Sequence, residues 1–408
     1  MSLQSRNSVT MKFSLLFLLS NVVVFNLSAQ ISSGGIEFTT QLNTITTAVP
    51  FLLISPDARS SAMGDVGAAT DADAYSIQWN TSKLAFSDKE REIGVSYSPW
   101  LRQLVDNIQY THASAYTKLG DRHTIGASMT YFSLGNITFT DDQGNLLREF
   151  SPKEYEFVGA YALRLSKRSA IGVNLKYVHS NLTGGINAGS VTTKPGVAMA
   201  SDISYTYFNK DLSLRTWPAQ WSFGINISNL GNKMAYTVET GRDFIPANLK
   251  IGSSYKVDIN KDHSIMAALD VNKLLVPTLP VVNSSGMIIS GMNNNVGVIP
   301  GILQSFYDAP GNVLINSAGV VEVQKNSRLK EELNEINIGG GFEYQYKGMY
   351  VLRGGYFYEH KSKGARQYFT TGLGYFNGKI GADFSYLLAM KKTNPLANTM
   401  RFSVNFAI

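Results

Sequence analysis

The chain has 408 residues, 44% of them hydrophobic, with a formal net charge of +6 and no cysteine. A mean hydropathy of −0.06 excludes a bundle of membrane helices, each of which needs a run of roughly 20 apolar residues. The missing cysteines exclude a disulfide framework and thiolate metal centres, and no Lys/Arg-rich run points to nucleic acid.

In chain order the first feature is an apolar run over residues 13–27, led by Lys12 and closed by Leu27-Ser28-Ala29-Gln30. It reads as a secretory signal peptide over residues 1–29, with Met11 a better natural start than Met1. A retained membrane anchor is the rival reading. Cleavage removes Arg6 and Lys12, so the basic count falls from 36 to 34 against 30 acids and the net charge from +6 to +4.

Residues 30–90 do not alternate. They are small, polar and glycine-dotted between Ser60 and Ala74, then carry Trp79-Asn80-Thr81-Ser82-Lys83-Leu84-Ala85-Phe86. Small residues at this density suit close packing in a confined space, and Asp and Asn favour turns and caps. Two readings stand: a hatch folded inside a barrel, and a loose periplasmic linker.

From residue 91 to 408 the period is two. Strands are expected at 92–98, 107–118, 122–134, 154–166, 169–181, 196–208, 218–230, 247–258, 262–273, 335–346, 349–360, 366–376, 378–390 and 398–408. Most match the length a tilted strand needs to cross a bilayer. The last is typical: Phe402, Val404, Phe406 and Ile408 alternate with Arg401, Ser403, Asn405 and Ala407. Connections alternate too. Those after even strands are tight, with 209–217 as the exception. Those after odd strands are longer: 99–106, 135–153, 182–195, 231–246, 274–334, 361–365 and 391–397. Short turns at one end and long loops at the other are the mark of an outer-membrane β-barrel, and a soluble sandwich or propeller has no reason to sort its loops by parity. The fold class is therefore all-β, a transmembrane antiparallel barrel of about 14 strands. An even strand count places both termini in the periplasm.

Alternation also assigns faces. Tyr155, Phe157, Tyr161, Leu163 and Leu165 oppose Glu154, Glu156 and Arg164; Ile380, Phe384, Tyr386 and Leu388 oppose Asp383 and Ser385. An Arg or Lys turned to lipid at mid-bilayer costs about 2–4 kcal/mol, so the charged set faces inward. Inside, it forms either a transport path or a salt-bridged filling. The connection 274–334 is long for a loop and too apolar for disorder, with a short capped helix expected at 327–333. Its apolar side chains need a cover, either a partner or the barrel's own mouth. The candidate contacts are Leu275, Val298, Ile299, Ile302, Leu303, Phe306 and Tyr307.

Catalytic signals are weak. His112 and Ser114 share a strand face, but no acid is evident to orient the imidazole. No glycine loop cradles phosphate and no His/Asp/Glu cluster has metal spacing. The reading is a non-enzyme without cofactor or metal.

Residues 50–59 (Pro-Phe-Leu-Leu-Ile-Ser-Pro-Asp-Ala-Arg), 63–70 (Met-Gly-Asp-Val-Gly-Ala-Ala-Thr) and the 79–86 segment together resemble the PorV/PorQ family. These are outer-membrane proteins of the type IX secretion system of Bacteroidota, within the FadL-like barrel superfamily. Residues 273–277, 306–311 and 331–336 look like that family's large outer loop. The resemblance implies an N-terminal hatch whose motif here is Asp57, Arg59, Met63, Gly64, Asp65, Gly67 and Asn80. It implies a shuttle that binds the C-terminal signal domains of cargo proteins at an SprA/Sov-type translocon and delivers them to the surface attachment complex, amid outer-membrane lipid and LPS. A FadL-like transporter of hydrophobic small molecules is the alternative, and a lipid A/LPS deacylase a third. Two departures stand out: Asn80-Thr81-Ser82 replaces the family's Asn-Pro-Ala, and the chain ends in Ile408 rather than an aromatic residue.

Overall fold

A computed structural model describes residues 43–101, 107–140, 143–185, 187–188, 191–237, 241–283, 285–315, 321–390, 394 and 396–408. The signal peptide expected over 1–29 lies outside them. Fourteen antiparallel strands close into one barrel, each bonded to its sequence neighbours and the last to the first. They are β1 Arg91–Pro99, β2 Ile108–Leu119, β3 His123–Leu134, β4 Lys153–Arg164, β5 Ser169–Asn181, β6 Gly196–Leu214 and β7 Trp217–Gly231. The second half comprises β8 Asn248–Asn260, β9 His263–Leu274, β10 Ile336–Tyr346, β11 Tyr350–Tyr358, β12 Gln367–Phe376, β13 Ile380–Ala389 and β14 Met400–Ala407.

Burial inverts the soluble pattern. Along β5, Leu175 is 68% exposed and its neighbour Lys176 1%. Greasy side chains cover the outside of the wall and polar ones fill the inside. Only a hydrocarbon surround makes that arrangement favourable, since a closed barrel leaves no unpaired strand edge for lipid to meet.

The parity of the connections is stricter than the sequence reading gave. The expected exception at 209–217 disappears, because β6 runs on to Leu214 and pairs Leu214 with Trp217 across a two-residue turn at Arg215-Thr216. Register shifts by a bulge between Asn209 and Leu212, and that irregularity broke the alternation on which the boundary was placed. Lys347 and Gly348 both take positive φ (53° and 65°), the conformation a tight hairpin demands. At the opposite end, the loop 135–153 extends its hairpin through Ile137–Thr140 and Leu146–Phe150.

The expectation of two periplasmic termini concerns an N-terminus that lies outside the described residues; within them the N-terminal segment begins at the loop end and the last strand finishes at the turn end. Asn43 donates from its backbone to Ser362 O (3.1 Å) and from its side chain to Glu331 Oε1 (2.9 Å), both at the loop end. Ile408 donates to Arg91 O (3.1 Å) at the turn end. The described N-terminal segment enters at the loop end, fills the lumen and leaves at the turn end before β1 begins.

Candidate functional site

The hatch is built from a 3₁₀ turn, Pro50–Leu53, two short helices, α1 Ala58–Ala62 and α2 Ser76–Trp79, and a second 3₁₀ stretch, Thr81–Phe86. All are too short to persist alone, so their shape comes from caps and from the wall. Asp57 caps α1 by accepting from Ser60 N (2.8 Å) and takes the Trp79 indole N–H (2.6 Å). Burial, with Asp73 nearby, pushes the Asp57 carboxyl up to about 6. Asn80 accepts from Ser82 N (3.2 Å) and donates to Ala68 O (2.7 Å) and Thr206 Oγ1 (3.0 Å). The departure from Asn-Pro-Ala leaves this turn intact. Thr81 sits at the first helical position, where Pro is otherwise favoured, and its hydroxyl bonds Asn174 Oδ1 (2.6 Å) instead.

Six of the seven hatch-motif residues meet the wall, and Asp57 bonds within the hatch. Arg59 pairs with Glu343 of β10 (3.0 Å) and with Asp73 (3.2 Å). Glu343 in turn holds Arg353 of β11 (2.6 Å), which holds Asp383 of β13 (2.6 Å). Asp65 accepts from the Tyr368 hydroxyl (2.5 Å), and Gly67 N donates to Asp270 Oδ2 (2.8 Å). Met63 is wholly buried against Val66, Met266 and Ala268. Gly64, at φ 74°, donates to Thr370 Oγ1 (2.9 Å). Around it, Gly339, Gly341 and Gly355 of the wall touch the hatch backbone so closely that a Cβ on any of them would collide with it.

Many of the interior charges are thus paired. Lys176, Asp202 and Glu156 form a second buried group on β4–β6, and Lys256 pairs with Asp71 (3.0 Å). His112 lies within this packing, fully buried, bonded to Thr130 Oγ1 (2.9 Å), which donates to Glu156 Oε1 (3.1 Å). An acid therefore does stand behind His112, two strands away through a threonine, a relation that no linear spacing reveals. The imidazole and Ser114 face the hatch, with no surface open to a lipid substrate.

At the loop end the described parts of the 274–334 connection, 274–283, 285–315 and 321–334, hold defined structure. It carries helix α3 Val298–Gln304, which hydrophobic periodicity did not single out, and α4 Ser327–Asn334 close to its expected place. Its base is clamped by charge: Lys273 and Lys363 bracket Glu335 (2.7 and 3.0 Å), Lys363 also holds Glu331 (2.8 Å), and Thr278 donates to Glu335 (2.6 Å). Asp308 accepts from Thr278 N (3.0 Å) and Gln304 Nε2 (3.2 Å), and burial pushes its carboxyl up to about 6. Its tip is apolar and open: Ile299, Leu303, Phe306 and Tyr307 are exposed, while Val298 and Ile302 are half-buried. Leu275 departs from its assignment as a surface contact. It is 3% exposed and continues the β8–β9 pairing by donating to Ala247 O (2.8 Å), so it belongs to the wall. At the same end a vestibule of about 1030 Å³ is lined by Trp100, Phe132 and Leu387 together with Glu359, Lys363 and Arg366. Its floor is the hatch at Phe51.

These features define a class, a fourteen-strand outer-membrane β-barrel closed by its own N-terminal hatch. A family model described as type IX secretion system protein PorV matches residues 37–281, more than half of the chain, and the protein belongs to that family. Solved barrels of similar architecture include the Pseudomonas putida toluene transporter TodX (12% identity, 90% of this chain and 98% of that one, TM-score 0.47). Others are the Ralstonia pickettii toluene transporter TbuX (12%, 87% and 97%, 0.45) and a Pseudomonas aeruginosa FadL homologue (10%, 89% and 99%, 0.44). No curated protein matches.

Proposed function

We propose that this protein is a shuttle of the type IX secretion system. It takes the C-terminal signal domain of a cargo protein at an SprA/Sov-type translocon and hands it to the surface attachment complex, with its loop end facing outward. The supporting observation is the contrast between a lumen filled by an ion-paired hatch in backbone contact with the wall and an apolar loop tip left uncovered. Ile299, Leu303, Phe306 and Tyr307 offer aromatic and aliphatic anchors of the kind that dominate interfaces, and the vestibule at the same end gives a concave seat. No catalytic role is needed.

A FadL-like transporter of hydrophobic small molecules rests on one observation, the part-apolar vestibule, which stops at the hatch. A pull-down from native outer membranes separates the two. Recovery of a very large barrel, or of proteins sharing a C-terminal domain, supports the shuttle. Deleting residues 296–311 should abolish that recovery while the barrel still inserts. Unchanged secretion after the deletion rejects the loop's role.

A further inference from the structure

At the turn end, away from the loop and vestibule, a second recess of about 110 Å³ opens between the hatch and β6–β8. Lys83 of the hatch lies at its base. The side chain is 3% exposed, and its ammonium donates only to neutral oxygens, Gly67 O (2.6 Å) and Thr70 Oγ1 (3.0 Å). Among the described residues no ion pair is seen for it, whereas Arg59, Lys176, Lys250, Lys256 and Arg353 of the lumen each have one. The nearby acids are spent elsewhere: Asp73 on Arg59, Asp270 on Gly67 N, Ala68 N and Lys250, and Asp57 on Ser60 N and Trp79. Burying a charge without a counter-charge is costly. Burial pushes this ammonium down to about 8, so it remains mostly charged at neutral pH.

The recess around it is furnished for an anion. Hydroxyls of Thr206 and Ser222 line it with Lys210, Lys256 and the tilted rings of Phe86 and Phe208 (5.4 Å); of its two acids, Asp71 is held by Lys256 (3.0 Å) and Asp88 by Lys210 (3.1 Å), which leaves the Lys83 charge in excess. Lys210 pairs only with Asp88, whose side chain is exposed, and such a pair yields readily to a competing anion. The volume suits a single group rather than a drug-sized molecule. We propose that this recess binds one oxyanion, a carboxylate or a phosphate, entering from the turn end and paired with Lys83. The site is independent of the cargo reading, since it sits at the other end of the barrel.

Calorimetric titration of the full chain in detergent tests it, with inorganic phosphate, acetate, and a short peptide carrying either a free or an amidated C-terminus. Binding of phosphate alone assigns a phosphate site; preference for the free-carboxyl peptide over its amide assigns a peptide terminus. In either case Lys83→Met should weaken binding about tenfold or more and Lys83→Arg should retain it. Ser222→Glu places an internal carboxylate beside Lys83 and should block every probe, which keeps the test decisive if Lys83→Met does not fold. Absence of binding by all probes, or binding by both Lys83→Met and Ser222→Glu as tight as by the unaltered chain, overturns the proposal.

Discussion

The hatch and the 274–334 loop both lie outside the barrel sheet, and they are assembled from opposite materials. The hatch is small and polar, and it meets the wall on all sides: Arg59 on Glu343, Asp65 beneath Tyr368, Gly67 on Asp270, Asn80 on Thr206. Among the described residues the loop is held at its base, by the Lys273–Glu335–Lys363 clamp and the Leu275–Ala247 bond, and leaves Ile299, Leu303, Phe306 and Tyr307 exposed. An element bonded all round and lacking room even for a Cβ is a fixed part of the wall. An element anchored by charge at its base and greasy at its tip is presented to something. That difference is what the proposed shuttle reading rests on.

The comparison breaks first at Glu343. Glu343→Ala leaves Arg59 and Arg353 buried with too little counter-charge, a loss of about 3–5 kcal/mol. Heat-dependent gel mobility of the refolded barrel should show a markedly lower unfolding temperature, whereas Asp88→Ala at the exposed pair should leave it unchanged. An unaltered midpoint in Glu343→Ala would mean the hatch is not fused to the wall. Next, Gly341→Val forces a side chain against the Met63 backbone, with an overpacking cost of about 1–3 kcal/mol. The expected readout is protease sensitivity of the hatch in an otherwise inserted barrel.

On the loop, Leu303→Asp should weaken cargo-domain binding by about tenfold, roughly 1.4 kcal/mol, with the unfolding temperature preserved. Leu275→Ala should do the reverse, since that side chain is in the wall. Equal effects of the two on binding would dissolve the distinction between tip and base. The smallest effect concerns pH. Asp308 has its folded value raised to about 6 from an ordinary 3.8, so the stability it lends is present below 3.8 and is lost as pH rises through about 6. Amide exchange in residues 298–311, corrected for intrinsic rates, should be slower at pH 5 than at pH 7.5. Asp308→Asn should flatten that difference.

The barrel was legible because lipid imposes a strict rule on every second side chain. Leu175 beside Lys176, or Phe157 beside Glu156, can be read off the chain with no knowledge of neighbours. The rule failed where a bulge interrupted the period, between Asn209 and Leu212, and where an apolar residue served the wall rather than the surface, at Leu275. The hatch motif was visible only as composition and as a likeness to a family. Its partners on β10 to β13 lie some 300 positions downstream, as in the bond between Thr370 and Ala62 O. Helix α3 was hidden because Pro300 and Gly301 mask a helical signal that packing on Phe244 and Pro277 restores.

By itself, then, the order of residues determined the strand count, the facing of the wall and the sorting of short turns from long loops, because each depends on period-two contact with hydrocarbon. Tertiary structure alone decided that Arg59, Glu343, Arg353 and Asp383 join in one buried network, that the described N-terminal segment runs from the loop end, and that Lys83 has no counter-ion among the described residues. Those outcomes depend on which side chains the closed cylinder brings within a few ångströms, and no local pattern encodes a distance across a barrel.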